Sequence, residues 1–575
     1  MQRYMKYITP YWAYCLLAPL CMFIEVYCDL QIPLFSAKII NQGIENLDST
    51  ATITIMLTMM LYIVCAVSSG IGAAYFASKA SVNFACDLRE DVFTKIQDFS
   101  FSNIDKFTAG SLITRLTNDI SQLQQLVMMV LRMLIRVVGM LVGAVIMAYT
   151  INKEVSVIFT ILLPILTIIV YAVLKLSFSK FMFLQEKVDD LNIRVREVLV
   201  NIRVIKAFTR EDYEEDKFKT VNENLTDTSL KAYRISLWQT PLITLSVNMA
   251  TIGVLYMGGQ LLEINELQIG DISALITYLT QILASVNMLG MVFLQSTKSI
   301  VSARRLGEVL DTNIDITDNE SDKVVGSGDI RFENVSFKYT KNNNEMVLRN
   351  LNLEIKSGET VGIIGSTGCG KTSFAHLIPR LYDANEGNVY VDGTNVKDYT
   401  LHNLREGVAV VLQNNILFTG TIKENLLWGN TNATQDEIEK VADWSAAKEF
   451  ITNFDNKYDT KIEQSGVNLS GGQKQRLCIA RALLKRPKII ILDDSTSAVD
   501  TATERKINKH LYEELNDTTK IIIAQRITSV IDASKIIVMD KGIVEAIGTH
   551  EELLNSSLTY QEIYNSQMER KAANV

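Results

Sequence analysis

Six long apolar runs dominate the first 311 positions, at residues 11–39, 53–78, 126–149, 155–176, 235–262 and 272–293. Each reaches or exceeds the roughly 20 apolar residues that carry an α-helix across a bilayer. They predict a polytopic α-helical membrane domain of six long transmembrane helices. The remaining chain reads as an ordinary soluble α/β domain, so overall figures of 48% hydrophobic and 21% charged residues average two unlike halves.

The connections set the orientation. The turn at 45–52 carries Glu45 and Asp48, and the turn at 263–271 carries Glu263, Glu266 and Asp271, both without Lys or Arg. The segment 175–234 is rich in Lys and Arg, and Arg89, Lys95, Lys106 and Arg115 decorate the earlier one. Positive charge stays inside, which places both termini in the cytoplasm. The two basic segments keep helical periodicity and lack Gly/Pro clusters. A helix from residue 53 to about 100 would be roughly 70 Å long, twice the hydrocarbon thickness. Spans two to five are therefore expected to continue as cytoplasmic rods, with elbows at 101–110 and 209–212.

A net charge of −8 with no basic stripe excludes nucleic acid as a partner. The seven cysteines include no CxxC pair and read as reduced, apolar packing residues. No cleavable signal is expected, because residues 1–8 are polar-aromatic and the first apolar run is too long for one.

The predicted domains are 1–311, a polar linker at 312–328, and 329–575. In the last, a buried-strand run from Thr360 is followed by Gly365-Ser366-Thr367-Gly368-Cys369-Gly370-Lys371-Thr372 and then a helix opening at Ser373. This is the complete GxxxxGK[ST] phosphate loop. Its glycines let backbone N–H groups wrap phosphates, Lys371 reaches the β/γ-phosphates and Thr372 binds Mg²⁺. A second buried strand, Lys488-Ile-Ile-Ile-Leu, ends in Asp493-Asp494. Asp493 stands where a Walker B acid holds Mg²⁺; the plainer reading of such an acid is a cap on the next turn. ATP and Mg²⁺ are the expected ligands.

Leu469-Ser470-Gly471-Gly472-Gln473 resembles the ABC signature, and with the phosphate loop it identifies the soluble half as similar to ABC ATPases. In that family ATP is sandwiched between one subunit's phosphate loop and the other's signature, so Ser470, Gly471, Gly472 and Gln473 would serve the partner's nucleotide. The resemblance implies that Tyr339 stacks on adenine and that Gln413 senses Mg²⁺. Residues 110–119 and 202–211 look like exporter coupling regions, so the resemblance spans essentially the whole chain.

Two positions depart from the family. Its general base, a Glu after the Walker B Asp, is here Asp494, and its switch His is here Gln525. Loss of a general base typically costs 10²–10⁴ in rate, and withdrawing a carboxylate by about one methylene can cost about 10²-fold. Glu463-Gln464-Ser465-Gly466 departs a third time, where exporters usually show Gly-Glu-x-Gly. The pattern is similar to the degenerate-site subunit of heterodimeric bacterial multidrug exporters. It implies a second ABC half-transporter with the consensus Glu and His, amphipathic small molecules as cargo, and the bacterial plasma membrane with its lipids as the setting. A slow homodimer, a lipid flippase and an ATP-gated regulatory protein stay open.

Within the spans, Glu25 and Asp29 share one helix face, as do Arg132 and Arg136. Ionisable groups in membrane segments are candidates for substrate contact; the alternatives are ion pairing in a wet cavity or snorkelling.

Overall fold

The computed structural model describes residues 2–44, 48–339 and 345–573. Glu45, one of the acids read as marking an outer turn, lies outside the described residues. The chain forms two compact units, one of Met1–Gln97 with Ala109–Thr312, the other of Asp98–Thr108 with Asn313–Val575. Most of the elbow expected at 101–110 thus groups with the second unit, as part of Asp98–Thr108.

Among the described residues, the first unit holds six helices long and apolar enough to cross a membrane, Thr9–Gly43, Ser49–Gln97, Ala109–Ile151, Lys153–Val200, Glu211–Glu263 and Ile269–Leu310. Hydrocarbon offers no partner to a backbone N–H or C=O, so each run closes its hydrogen bonds within itself. The second span is a 49-residue helix, roughly 74 Å at 1.5 Å per residue. The sixth also runs far beyond its apolar stretch, to Leu310, and so joins the rods that were expected only for spans two to five. Met22, Leu30, Phe159, Ile243 and Tyr278 fill the space between helices. Leu57, Leu61, Val64, Val67 and Ile71 lie exposed at helical spacing along the second span, a face suited to lipid. The third span contains two π-helical turns, Arg115–Asp119 and Val130–Leu134.

In the second unit, residues 312–329 carry no helix or strand, and the first strand begins at Ile330. The central six-stranded sheet runs in the order Ile543–Gly548, Lys535–Asp540, Thr360–Gly365, Thr519–Ile523, Ile489–Asp493, Val408–Val411. All its pairings are parallel except that of the first two strands. Strands such as Ile489–Asp493 are buried throughout, which explains their unbroken β-branched runs. A four-stranded antiparallel sheet built on Ile330–Phe337 stands apart from it in pairing.

Candidate functional site

The phosphate loop follows from the backbone it needs. The Thr360–Gly365 strand stops, and Gly370 takes φ +100° to cap the Lys371–Leu377 helix. A Cβ on Gly370 would sit 2.7 Å from Leu348 Cδ2 and 3.0 Å from the Val347 carbonyl, so only glycine fits there. Lys371 arches over the loop, its Nζ donating to the carbonyls of Gly365 and Ser366 at 2.9 Å each.

Sheet register brings the second half of the site alongside. Ile523 pairs with Ile363 on one side and with Asp493 on the other, so the chain leaving Ile523 emerges between the phosphate loop and Asp493. That exit delivers Gln525, whose Nε2 donates to Asp494 Oδ2 at 3.0 Å. Asp494 adopts φ +48°, and its own N–H bonds the Ile523 carbonyl at 2.9 Å. Burial pushes its carboxyl above the ordinary range and the neighbouring Asp493 adds to this, while Lys371, Arg526 and Gln525 oppose it.

Asp493 is 1% exposed. Burial raises its pKa, against a hydrogen bond from Thr372 and the charge of Lys371. Its Oδ2 has no hydrogen-bond partner among the described residues. A buried, unpartnered carboxylate oxygen beside a threonine hydroxyl is a donor set that fits Mg²⁺. Thr372 and Asp493 would hold the ion with Gln413 at the same cleft. When bound, Mg²⁺ neutralises charge on the nucleotide phosphates.

These groups line one cleft of about 280 Å³: Tyr339, Thr367, Gly368, Gly370, Lys371, Thr372, Ser373, Gln413, Asp493, Asp494 and Gln525 all border it. Val347, Ile523 and Ala524 also line it. Sequence reading missed these three because apolar wall residues carry no motif. Tyr339 Oη lies 2.7 Å from Ser373 Oγ, and burial raises its pKa. Its ring meets Tyr382 edge-on at 5.1 Å. Tyr382 in turn donates to Asp105 of the Phe101–Lys106 helix at 2.6 Å. Nothing in the local sequence marks this contact, since its partners lie 277 positions apart.

Cys369 stands in the middle of the phosphate loop, and its side chain is 2% exposed and belongs to the apolar cluster with Phe374, Ile363 and Met539. Its N–H is taken by the Ser366 carbonyl at 3.3 Å, so it borders the loop without facing the cleft. Gly365 and Ser366 lie in the loop but outside the cleft lining; Ser366 Oγ is 3.4 Å from Asp540 Oδ1.

The signature residues lie apart from the cleft. Ser470 caps the Gly471–Leu484 helix reciprocally with Gln473, at 3.3 Å and 2.9 Å. A Cβ on Gly472 would stand 2.8 Å from the Ala498 carbonyl, which ties this turn to the loop after Asp494. Gln475 reinforces the tie, accepting from Ala498 N–H at 2.9 Å and donating to Ser497 Oγ at 3.2 Å. In the divergent stretch before the signature, Ser465 adopts φ +57°, and its carbonyl accepts from Lys474 Nζ at 3.0 Å.

The substrate candidates in the spans are only partly free. Arg136 hydrogen-bonds Glu25 and also Asp29, the latter at 3.1 Å. The two faces read from sequence therefore meet as an ion-paired trio.

Comparison with known proteins agrees with this geometry. Residues 15–286 match the ABC transporter transmembrane region, and residues 348–497 match the ABC transporter family. The chain is 36% identical to the ABC transporter ATP-binding protein YfiB of Bacillus subtilis over 100% of both chains. It is 32% identical to an ATP-dependent lipid A-core flippase of Desulfotalea psychrophila, over 84% of each. A bacterial Atm1-family ABC exporter with ATP bound shares the fold at a TM-score of 0.77, with 24% identity over 98% of each chain. The chain belongs to the ABC transporter family, a multi-pass membrane domain fused to an ATP-hydrolysing ABC domain.

Proposed function

We propose that this chain is the degenerate-site half of a heterodimeric exporter of amphipathic small molecules in the bacterial plasma membrane, with both termini cytoplasmic. The hydrogen bond from Gln525 to Asp494 carries the reading. A catalytic base has to reach the attacking water, and the switch side chain has to reach the γ-phosphate. Here the base position is one methylene short, and its carboxylate is engaged by the amide at the switch position. The two groups satisfy each other rather than a substrate. Lys371, Thr372 and Asp493 keep the arrangement for binding Mg²⁺ and ATP, so this site holds nucleotide and turns it over slowly. The signature of this chain completes the partner's site, where a Glu and a His from a second half-transporter perform hydrolysis. Closure of the paired ATPase domains then drives the membrane helices from inward- to outward-facing.

Substituting the partner's catalytic Glu should nearly abolish ATPase activity, whereas Asp494→Ala should leave most of it. Ser470→Ala should damage turnover far more than Lys371→Ala. Equal losses from each pair of changes defeat the asymmetric reading. So does a stable homodimer of this chain whose transport-coupled ATPase is equally sensitive to Lys371 and Ser470. Lipid flipping is the second reading, favoured by the Desulfotalea psychrophila flippase as a relative along 84% of the chain. Transbilayer movement of labelled lipid in proteoliposomes separates the two.

A further inference from the structure

The membrane unit contains a cavity of about 960 Å³, at the upper end of the range for small-molecule sites. Six methionines line it: Met59, Met128, Met129, Met133, Met140 and Met288. Flexible thioethers repack around apolar bodies of differing shape, so this wall suits a variable hydrophobic moiety. Three charged side chains also reach the cavity: Asp29, Arg132 and Arg136. Arg136 is held by Glu25 and Asp29. Arg132, one helical turn earlier on the same face, makes no hydrogen bond or ion pair with any described residue. It sits within the π-helical turn Val130–Leu134. Such turns widen the helix locally, re-aim the side chains around them and recur at functional sites.

A guanidinium inside a membrane domain is costly, and one that faces a cavity there marks a functional site by default. The neighbouring acids do not offset that cost, because Arg136 already engages both. From this pairing of a free guanidinium with a methionine wall, we infer that the cavity binds amphiphiles bearing an anionic headgroup. Arg132 takes the carboxylate, phosphate or sulfate in charge-assisted hydrogen bonds, and the methionines take the apolar tail. The inference deepens the export reading by naming its substrate class, and it rests on that reading for the transport step alone.

Binding and turnover can be read separately. The transporter, purified from cells and placed in nanodiscs of zwitterionic lipid, is titrated with 11-(dansylamino)undecanoic acid, its neutral primary amide and the corresponding amine. Wild type should prefer the acid. Arg132→Gln should weaken the acid about 10- to 100-fold, the loss expected for a hydrogen bond between charged groups, and leave the amide within about 3-fold. Arg132→Lys should keep the order of preference, and Arg132→Glu should invert it towards the amine. Equal weakening of acid and amide by Arg132→Gln, or an unchanged acid affinity, overturns the assignment. Doping the discs with phosphatidylglycerol identifies the source of the anion. Competition with the fluorescent acid assigns the site to an anionic diacyl lipid, and no competition assigns it to a single-chain amphiphile; Arg132 reads the headgroup in both cases. Stimulation of wild-type ATPase by these probes tests export independently. Binding without stimulation by any amphiphile sinks the export reading and leaves the site standing.

Discussion

Polar side chains do different jobs in the two units. In the membrane unit, hydroxyls mostly turn back onto their own helix: Thr54 donates to the Thr50 carbonyl at 3.0 Å, Thr58 to Thr54 at 2.9 Å and Thr167 to Leu163 at 2.8 Å. Polar contacts between spans gather where the rods extend past their apolar runs, as where Ser302 donates to Asp119 at 2.8 Å and Gln295 to Gln122 at 2.6 Å; within the apolar runs they are sparser among the described residues. The Glu25–Arg136–Asp29 trio is one, and another is made by Tyr278, which donates to the Leu30 carbonyl at 2.6 Å. In the ATPase unit, polar side chains bridge distant loops throughout. Asp392 alone accepts from the N–H groups of Ser327, Gly328 and Asp329 at 3.0, 2.6 and 3.1 Å. Arg481 spans from Asn425 to the Ile416 carbonyl, and Arg476 reaches the Ala446 carbonyl at 2.9 Å. The contrast follows from solvent. Without water, an unmet polar group is expensive, so the apolar runs use few cross-links and each carries more.

The sharpest test is Arg136→Gln, which leaves Glu25 and Asp29 facing each other without a counter-charge. Removing one partner of a buried ionic group typically costs about 3–5 kcal/mol, and a large drop in the melting temperature of the detergent-solubilised protein should follow. A shift no larger than that of a surface substitution breaks the comparison.

Asp392→Asn should cost about 1 kcal/mol, less than the roughly 1.5–3 kcal/mol typical of bonds to charged groups because the site is half-buried and screened. Burial raises the Asp392 pKa, but the Ser327 hydroxyl and the amides of Gly326, Gly328 and Ser327 outweigh it and hold the group below its ordinary value. A depressed folded pKa stabilises above the unfolded value and stops doing so as pH falls through the folded one. The melting difference between wild type and Asp392→Asn should therefore be constant near neutrality and shrink below about pH 4. A difference that stays constant well below that pH removes the ionic component.

Thr434→Ala deletes a reciprocal cap on the Gln435–Trp444 helix. It should cost about 0.5–1 kcal/mol in thermal unfolding, with ATPase activity unchanged. The smallest effect belongs to Thr54→Val, where an exposed hydroxyl bonds only its own helix; stability should move by less than about 0.5 kcal/mol. A larger loss there would show that bonds within one helix also bear load in the membrane.

The two units were legible in sequence for different reasons. Six spans could be read because crossing a bilayer demands length and apolarity, both local properties. The sixth rod escaped notice because Lys298, Arg304 and Arg305 end its apolar run while the helix continues to Leu310. The phosphate loop and Asp493 could be read because each is contiguous with its strand. The Gln525–Asp494 bond could not, because it depends on the order of parallel strands across 31 positions. Helical spacing paired Glu25 with Asp29 and Arg132 with Arg136, but gave no sign that Arg136 alone engages the acids. The burial of the Cys369 side chain could not be read either, because a place in a motif says nothing about which way a side chain turns.

The Asp98–Thr108 segment has a consequence for the order of synthesis. It is translated some 200 residues before the rest of the unit it completes, which begins at Asn313. Its Ser102 hydroxyl donates to Asp315 at 2.6 Å, and its Asn103 amide donates to the Asn313 carbonyl at 3.1 Å. Phe101 and Asp105 wait for Tyr382. The ATPase domain therefore cannot be finished by folding strictly from its own first residue to its last. A piece made early, on a chain already threading into the membrane, must stay available until the domain made last arrives to receive it. A fragment starting at residue 313 would leave the Tyr382 hydroxyl without the carboxylate it bonds in the intact chain.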